Sequence, residues 1–387
     1  MNHESADPLP DRKGLARVLK EERALPAEWA SAFAAVPRES FLPDTFWPFN
    51  IENGRAVRVS RSENPISWFR YANTDIQLVT EWAAGPGGGE VANCLSPRPS
   101  QLFPMLGDLG VTSGSRILEV GTGTGWTTAL LAYRARAENI VSVEFSYEVA
   151  QQARKMLTNY GTSVKVVIGG GLKDYLGDHR YDRIVATRAV HEIPAAWLRQ
   201  SDPGGLIVAP WGTPFGTGRA VVRLTVGKGG ESATGRFTRP TDAPTLQSHR
   251  YTHPEPARNV GIPAAIASTT STDLTADELL GSEQSLQRFT FGLLIRNCTH
   301  AVSTQPDGEP ALWLYGLNDR SWACVAFKEG APAKVWQHGH RQLWAEVKVA
   351  YLWWAAQGRP GYERLGLTVD AEGQKVWLDD PANSWPV

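Results

Sequence analysis

The stretch Arg116-Ile-Leu-Glu-Val-Gly-Thr-Gly-Thr-Gly-Trp126 decides the fold that the sequence predicts. Its first half, Ile117 to Val120, is a short apolar run of the kind that forms a buried parallel strand. Glycines follow at every second position, and the next residues have the apolar spacing of a helix. A strand, a glycine turn and a helix together bring bare backbone against a ligand at a helix N-terminus. The same parts also form ordinary turns in α/β proteins, so the glycines alone leave both interpretations open.

Two acidic residues near this turn favour a binding site. The glycine spacing is G-x-G-x-G, which differs from the G-x-G-x-x-G of dinucleotide folds and from the lysine-bearing phosphate loop. Glu119 lies just before the turn, and Glu144 ends the next predicted strand, Ile140 to Glu144. A carboxylate at that place can accept hydrogen bonds from ribose hydroxyls. This combination resembles the cofactor site of the class I S-adenosylmethionine-dependent methyltransferases, and it predicts an α/β, Rossmann-like fold.

The resemblance implies S-adenosylmethionine as the cofactor and S-adenosylhomocysteine as its product. It assigns eight residues to the cofactor site: Glu119, Gly121, Thr122, Gly123, Gly125, Glu144, Gly170 and Gly171. The last two follow a third predicted strand, where family members commonly have Gly-Asp-Gly, the aspartate accepting from the adenine amine. Gly170 takes the position of that aspartate in this chain. Adenine must then be held by backbone groups or by another side chain, for which Asp174 is a candidate.

The composition is that of a globular protein and argues against several functions. At 387 residues the chain exceeds one core of usual size, so we expect two domains. The formal net charge of −1, from 39 basic and 40 acidic residues, gives no global field that attracts nucleic acid. The sequence has three cysteines without paired metal spacing, which predicts no metal site and fits a reducing cytoplasm. The polar N-terminus and the absence of a long apolar run predict neither a signal peptide nor a membrane span. The oligomeric state does not follow from the sequence.

Three motifs carry a narrower resemblance. Val36-Pro-Arg-Glu-Ser-Phe-Leu-Pro43 precedes the predicted core, and Asp202-Pro-Gly-Gly-Leu-Ile-Val-Ala-Pro210 contains its fifth strand. Between them, Asn93-Cys-Leu-Ser-Pro-Arg-Pro-Ser100 runs into an apolar helix. These motifs resemble the protein-L-isoaspartate O-methyltransferases, in which a hydroxyl-rich stretch before a proline lies over the methyl group and binds the substrate carboxyl. Ser96 and Ser100 are the matching hydroxyls, although Ser96 stands one residue farther from the proline than in the family. Ser100 could instead only cap the helix.

A third candidate for contact with the substrate is Arg188, which follows the fourth predicted strand, Tyr181 to Thr187. Ligand loops of open α/β sheets gather at the carboxyl ends of the strands. The planar guanidinium group pairs with carboxylates through two parallel hydrogen bonds. We therefore expect Ser96, Ser100 and Arg188 to form the catalytic, substrate-facing side of the site.

The last third of the chain has a different pattern. Thr238 to Pro244 has the composition of a linker. Phe289 to Ile295 is interpreted as a strand, Arg341 to Ala356 as a long amphipathic helix with three tryptophans, and Gly366 to Leu378 as a hairpin. The predicted organisation is an N-terminal helical and loop segment, a methyltransferase core and an appended C-terminal α+β domain for substrate recognition, at residues 1–90, 91–240 and 250–387.

The sequence elements G-R-P-G, G-L-T-V and V-W-L-D near the end of the chain narrow the predicted function. They resemble isoaspartyl methyltransferase homologues found with bacterial ribosomally made peptides such as lanthipeptides, lasso peptides and graspetides. The resemblance implies methylation of an aspartate side chain in a modified, macrocyclic precursor peptide, leading to aspartimide or isoaspartate. Repair of isoaspartate in aged proteins is the main alternative, although repair enzymes generally lack such an addition. A cofactor-binding protein that recruits a partner without turnover, or a methyltransferase for another acceptor, is a third.

Overall fold

The computed structural model describes residues 11–50, 55–84, 89–171, 180–216, 218–246, 268–281 and 286–387. The chain forms two compact units that are interleaved in sequence. The first unit contains Met1–Arg188, Pro194–Ala209 and Thr225–Glu231; the second contains Ala189–Ile193, Pro210–Leu224 and Ser232–Val387. These units differ from the predicted domains. The N-terminal segment is part of the same unit as the predicted core, and part of the predicted core belongs to the second unit.

The N-terminal part of the first unit has four helices and a small antiparallel sheet. The helices are α1 (Arg12–Glu21), α2 (Ala30–Ala35), α3 (Pro65–Ala72) and α4 (Pro99–Leu109). The strands are β1 (Thr45–Asn50), β2 (Arg55–Ala56), β3 (Val59–Ser60), β4 (Gln77–Ala84) and β5 (Glu90–Ser96). The sheet order is β2-β1-β4-β5, and β3 pairs with β1. Helix α3 is missing from the sequence interpretation, although Asn64 caps it by accepting from the Ser67 N–H and Pro65 occupies its first turn.

The centre of the first unit is a parallel sheet with helical connections. Its strands are β6 (Ile117–Val120), β7 (Ile140–Glu144), β8 (Lys165–Ile168), β9 (Tyr181–Ala186) and β10 (Ser201–Gly212), and its helices are α5 (Trp126–Ala135), α6 (Tyr147–Asn159) and α7 (Ala195–Arg199). The order β8-β7-β6-β9-β10 is parallel throughout. The chain moves outward from β6 first in one direction and then in the other. A ligand crevice is expected where that direction reverses, at the carboxyl ends of β6 and β9. The α/β, Rossmann-like sheet that the sequence predicts is thus present.

The remainder of the chain is mostly antiparallel. Its strands are β11 (Arg219–Val226), β12 (Ala233–Pro240), β13 (Ser268–Thr272), β14 (Cys298–Thr304), β15 (Pro310–Gly316), β16 (Trp322–Lys328), β17 (Ala331–His338), β18 (Leu365–Asp370), β19 (Gly373–Leu378) and β20 (Ser384–Pro386). Its helices are α8 (Ala276–Leu280), α9 (Leu286–Leu294) and α10 (Leu343–Ala356). Strands β13-β17-β16-β15-β14 form one sheet, and β12, β18, β19 and β20 pair in that order. Leu314, Val325, Val335 and Val347 are among the residues of the core between this five-stranded sheet and the helices.

Two interpretations of this region are wrong. The predicted strand at residues 289–295 lies mainly in helix α9, because a short apolar run cannot be assigned to a strand or a buried helix by periodicity alone. The predicted linker at residues 238–244 begins inside β12, and β12 pairs with β18 from Ala233↔Val369 to Arg236↔Gly366. The predicted helix with three tryptophans and the terminal hairpin are both present, as α10 and β18–β19. Trp344 and Trp354 are buried in the second unit.

No described helix is long and apolar enough to cross a membrane.

Candidate active site

The glycine turn lies at the carboxyl end of β6. Gly121, Gly123 and Gly125 have φ angles of 98°, 55° and 88°, which favour residues without a Cβ atom. Gly125 is also the N-cap of α5. A Cβ atom on Gly121 would lie 2.7 Å from Oγ1 of Thr187, and one on Gly123 would lie 3.3 Å from the carbonyl oxygen of Leu95. The bare backbone of the turn therefore lies close to β5 and to the residue that follows β9.

A cavity beside this turn brings five of the predicted site residues together. They are Gly121, Thr122, Gly123, Glu144 and Arg188. A second wall comes from β5 and the residue after it, within the predicted substrate stretch, but it is lined by Asn93, Leu95 and Pro97 and not by the predicted hydroxyls of Ser96 and Ser100. The remaining predicted site residues are near the cavity but do not line it: Ser96, Ser100, Glu119, Gly125, Gly170 and Gly171.

Glu144 is the carboxylate best placed to hold a ribose. It ends β7 and is 9% exposed, on the cavity wall. Its Oε2 accepts a hydrogen bond from the Gly123 N–H at 2.9 Å, and its Oε1 accepts one from the Ser146 N–H at 3.2 Å. Each carboxylate oxygen can accept two hydrogen bonds, so both retain capacity for hydroxyl donors. The same contacts tie the carboxylate to the glycine turn.

Glu119 lies behind the turn and not in the cavity. It is fully buried, and its Oε2 accepts hydrogen bonds from Thr128 Oγ1 at 2.6 Å and Ser142 Oγ at 2.7 Å. The Ser142 hydroxyl is in turn 2.6 Å from Oγ1 of Thr122, which lines the cavity. Burial raises the pKa of Glu119 to about 7, against the opposing effect of the two hydroxyl donors. Glu119 is therefore connected to the cavity only indirectly, through the hydroxyls of Ser142 and Thr122.

Arg188 is an incompletely paired cation on the cavity wall. Its Nη2 donates to the carbonyl oxygen of Asn93 at 2.5 Å, which links the end of β9 to β5. Its Nη1 is buried and has no hydrogen-bond partner within the described part of the chain. Burial lowers the pKa of Arg188, because the charged form loses hydration; Glu144 nearby partly opposes this. A bound anion would accept a hydrogen bond from Nη1 and place an opposite charge beside the guanidinium group.

Ser96 and Ser100 have other partners. Ser96 is fully buried, and its Oγ accepts a hydrogen bond from Nε of Arg38 at 2.8 Å. Ser100 donates through Oγ and through its backbone N–H to the carboxylate of Asp75, at 2.6 and 2.7 Å. This arrangement argues against direct contact of either hydroxyl with substrate. Asp75 thus caps helix α4, a contact that the local sequence does not predict because Asp75 lies 25 residues before Ser100.

Gly170 and Gly171 follow β8 and have different surroundings. Gly171 has a φ of 73°, its carbonyl oxygen accepts from Nε1 of Trp197 at 2.7 Å, and a Cβ atom there would overlap Cγ1 of Val120. Gly170 meets only Cδ2 of Phe145, at 3.8 Å from its ideal Cβ position. The requirement for glycine at residue 171 is therefore steric. Asp174 lies outside the described residues.

Alanine substitutions should separate these two glycines. Gly171→Ala combines a left-handed backbone with a clash, so we expect it to lower the free energy of unfolding by about 2–4 kcal/mol. Gly170→Ala, with open space and an ordinary φ, should change it by less than about 0.5 kcal/mol. Urea titration followed by circular dichroism measures both. Equal destabilisation by the two substitutions would contradict the steric explanation.

Within the described residues, no group of three or more His, Cys, Asp or Glu side chains is arranged to hold a metal ion.

Comparisons with known proteins relate this site to one family. Residues 93–231 match a family model described as protein-L-isoaspartate(D-aspartate) O-methyltransferase. A protein-L-isoaspartate O-methyltransferase of Methanoculleus marisnigri is 42% identical over 116 residues, 30% of this chain and 52% of that protein. Protein-L-isoaspartate O-methyltransferase 2 of Archaeoglobus fulgidus is 28% identical over 203 residues, 52% of this chain and 78% of that protein. The chain spans about half the length of the first two curated relatives it matches.

The likeness to a solved structure extends farther along the chain. A structure named protein-L-isoaspartate O-methyltransferase has a TM-score of 0.53 and 20% identity, covering 95% of this chain and all of that one. At this identity the likeness shows the fold alone. The fold is therefore that of the class I S-adenosylmethionine-dependent methyltransferases, as the glycine turn predicts. Because the likeness includes most of the C-terminal third, that region does not by itself distinguish the peptide-modifying homologues.

Proposed function

Because residues 93–231 match the protein-L-isoaspartate O-methyltransferase family, we propose that this chain is an S-adenosylmethionine-dependent carboxyl O-methyltransferase acting on a peptide. The observation that carries the proposal is the shared cavity. One wall has the glycine turn and the ribose-type acceptor Glu144, and the same cavity has the incompletely paired cation Arg188. We infer that the cofactor and the acceptor carboxylate are bound side by side, against Glu144 and Arg188 respectively.

The residues present fit the cofactor. Glu144 would accept hydrogen bonds from the ribose hydroxyls, and the bare backbone of residues 121–125 would allow close approach at the N-terminus of α5. When bound, S-adenosylmethionine supplies a methyl group already activated on a sulfonium. The protein has to align an acceptor oxygen with that group and exclude water, so most of the rate comes from positioning.

Arg188 would orient the acceptor. An aspartate or isoaspartate carboxylate is ionised near neutral pH, so its transfer reaction requires no strong base. Nη1 of Arg188 can donate to one carboxylate oxygen and leave the other free to attack. A single charge-assisted contact fixes the direction of the carboxylate without engaging both oxygens. The nucleophile therefore keeps an oxygen with its lone pairs available.

The acceptor that we propose is an aspartate side chain in a macrocyclic, ribosomally made precursor peptide. Its carboxylate would take the methyl group to give a methyl ester. Attack by the following backbone nitrogen would then release methanol and close an aspartimide, which can persist or hydrolyse largely to isoaspartate. The support is the resemblance of the chain's C-terminal motifs, which lie in β18, β19 and the residues just before them. We also propose that the protein acts in the cytoplasm.

Repair of isoaspartyl residues in proteins is the second candidate. The likeness of a structure named protein-L-isoaspartate O-methyltransferase over 95% of this chain favours it, because an isoaspartyl enzyme can then carry a comparable C-terminal region. The two candidates share the cavity and the transfer chemistry, and they differ in the acceptor.

Mass spectrometry of peptides incubated with the full chain and S-adenosylmethionine distinguishes these acceptors. Three probes are compared: a macrocyclic precursor with one aspartate in its ring, its linear form, and an isoaspartyl peptide of unrelated sequence. We expect methylation or aspartimide formation mainly in the macrocycle, since its ring has already lost conformational freedom. Methylation of the isoaspartyl peptide alone would support repair. Labelling of none of these peptides, with cofactor binding intact, would oppose carboxyl methylation.

A further inference from the structure

Arg38, in the Val-Pro-Arg motif, makes the most extensive set of side-chain hydrogen bonds around the cavity. Its Nε donates to Oγ of Ser96 at 2.8 Å. Its Nη2 shares its hydrogens among the carbonyl oxygens of Ile76, Ser96 and Pro97, at 2.9, 3.0 and 2.9 Å. Its Nη1 donates to the carbonyl oxygen of Thr74 at 3.3 Å. The guanidinium group therefore joins the start of β4 to the end of β5, although Arg38 is outside both.

The segment that Arg38 holds is one wall of the cavity. Side chains alternate along a strand, and Leu95 and Pro97 line the cavity while the Ser96 hydroxyl between them bonds Arg38. The backbone of this segment is close to the glycine turn, since a Cβ atom on Gly123 would lie 3.3 Å from the Leu95 carbonyl oxygen. A shift of residues 95–97 would therefore change the width of the cavity.

The same motif also contacts the helix that follows the glycine turn. The Cζ atom of Arg38 lies 5.5 Å from the ring centroid of Trp126, the first residue of α5. Nε1 of Trp126 donates to the carbonyl oxygen of Val36 at 3.1 Å. Residues 36–38 thus contact both the β5 wall and the first residue of α5, which connects that wall to the helix after the turn.

Holding a buried cation in this way has an energetic cost. Arg38 is 3% exposed, and burial lowers its pKa to about 9, with partial compensation from Asp75 and Glu39. Within the described residues its hydrogen bonds go to carbonyls and a hydroxyl, not to a carboxylate. Only a group with several donors in a fixed plane satisfies all of these acceptors together. Lysine, with one nitrogen, cannot span them.

We propose that Arg38 is a positioning residue that sets the distance between residues 95–97 and the glycine turn, and so aligns the acceptor for methyl transfer. The catalytic part of this inference, alignment of the acceptor, rests on the proposed function. Its structural part, the placement of the β5 wall, does not depend on any substrate.

Arg134 provides a matched control in the same unit. It also donates to backbone carbonyls, those of Glu28 and Val111 at 2.7 and 2.9 Å, and its Cζ lies 5.4 Å from the ring centroid of Trp29. None of these residues lines the cavity. Arg134→Lys therefore removes a half-buried, tryptophan-stacked and carbonyl-bonded guanidinium group whose partners lie outside the cavity wall.

The experiment compares Arg38→Lys with Arg134→Lys in the full chain, by hydrogen–deuterium exchange and by peptide methylation per folded molecule. For Arg38→Lys we expect faster exchange in residues 93–101 and a fall in kcat of about 100-fold, the scale of a 1 Å misplacement. Arg134→Lys should leave both unchanged. If Arg38→Lys does not fold, Ser96→Ala, which removes one of its acceptors, should give smaller changes in the same direction.

Unchanged exchange in residues 93–101 in folded Arg38→Lys would overturn the proposal. An equal loss of kcat in the two lysine variants would do so as well, because it would indicate a general effect on stability. Exchange is measured without turnover. If the wild-type chain methylates no peptide, the proposed function fails while the exchange result still decides whether Arg38 positions the wall.

Discussion

Arg188→Ala is expected to lower kcat/KM for the peptide acceptor by roughly 10- to 150-fold, which corresponds to 1.5–3 kcal/mol for a hydrogen bond to a charged group. The reason is that its buried Nη1 lacks a partner until a carboxylate binds. Binding of S-adenosylhomocysteine, measured by calorimetry, should change much less. Arg188→Lys should recover only part of the activity, because a single ammonium does not reproduce the two separately directed nitrogens, Nη2 on the Asn93 carbonyl and Nη1 toward the acceptor.

Arg183→Ala is the control for Arg188. Arg183 lies on β9, just before Arg188 in the chain, and it donates to the carbonyl oxygens of Gly110 and Asp182. It does not line the cavity, so peptide methylation per folded molecule should be retained. If Arg188→Ala instead abolishes binding of the cofactor product and leaves the peptide KM unchanged, Arg188 belongs to the cofactor side of the site.

Glu144→Ala should weaken binding of S-adenosylmethionine by roughly 1.5–3 kcal/mol. The substitution removes the carboxylate that we propose as the ribose acceptor, together with its hydrogen bond from the Gly123 N–H. Glu144→Gln keeps the shape but loses the charge, and we expect it to have a smaller effect. Isothermal titration calorimetry measures both affinities.

Glu148→Ala is a suitable control for Glu144, because Glu148 is exposed on α6, accepts a hydrogen bond from the Ser146 hydroxyl and does not line the cavity. Its removal should leave the affinity for cofactor unchanged. An unaltered affinity in a folded Glu144→Ala variant would instead move the ribose site away from the end of β7.

The central part of the site was predictable because its geometry is local. A buried strand followed by alternating glycines fixes the turn, and the parallel order places the ends of β6 and β7 together. Glu144 and Arg188 therefore reach one cavity although they are far apart in the chain. Each is the last residue of a strand or lies just after one, which is the position from which open α/β sheets bind ligands.

The sequence predicted that residues 93–100 lie at the site, but not which of their side chains face the cavity, because that depends on which side of the strand faces inward. The hydroxyl-rich motif suggested Ser96, but its neighbours Leu95 and Pro97 face the cavity. The pairing register of β4 with β5 shifts twice between Val79 and Trp82. The alternation of side chains along β5 therefore does not predict which of them face the cavity. The helix cap from Asp75 is equally non-local. In α9, burial on all sides overrode the strand-like run of Phe289 to Ile295.

The interleaving of the two units has a consequence for synthesis of the protein on the ribosome. Strand β12 pairs with β18, and the Thr234 and Thr368 hydroxyls in that ladder are 134 residues apart in the chain. Contacts of such high sequence separation form slowly, since a long loop must close first. Until residues 365–370 have been synthesised, the β12 edge lacks this pairing partner, and unpaired strand edges favour aggregation. A nascent chain that ends near Pro240 is in this state, so the second unit can complete its fold only after residues 365–370 have left the ribosome.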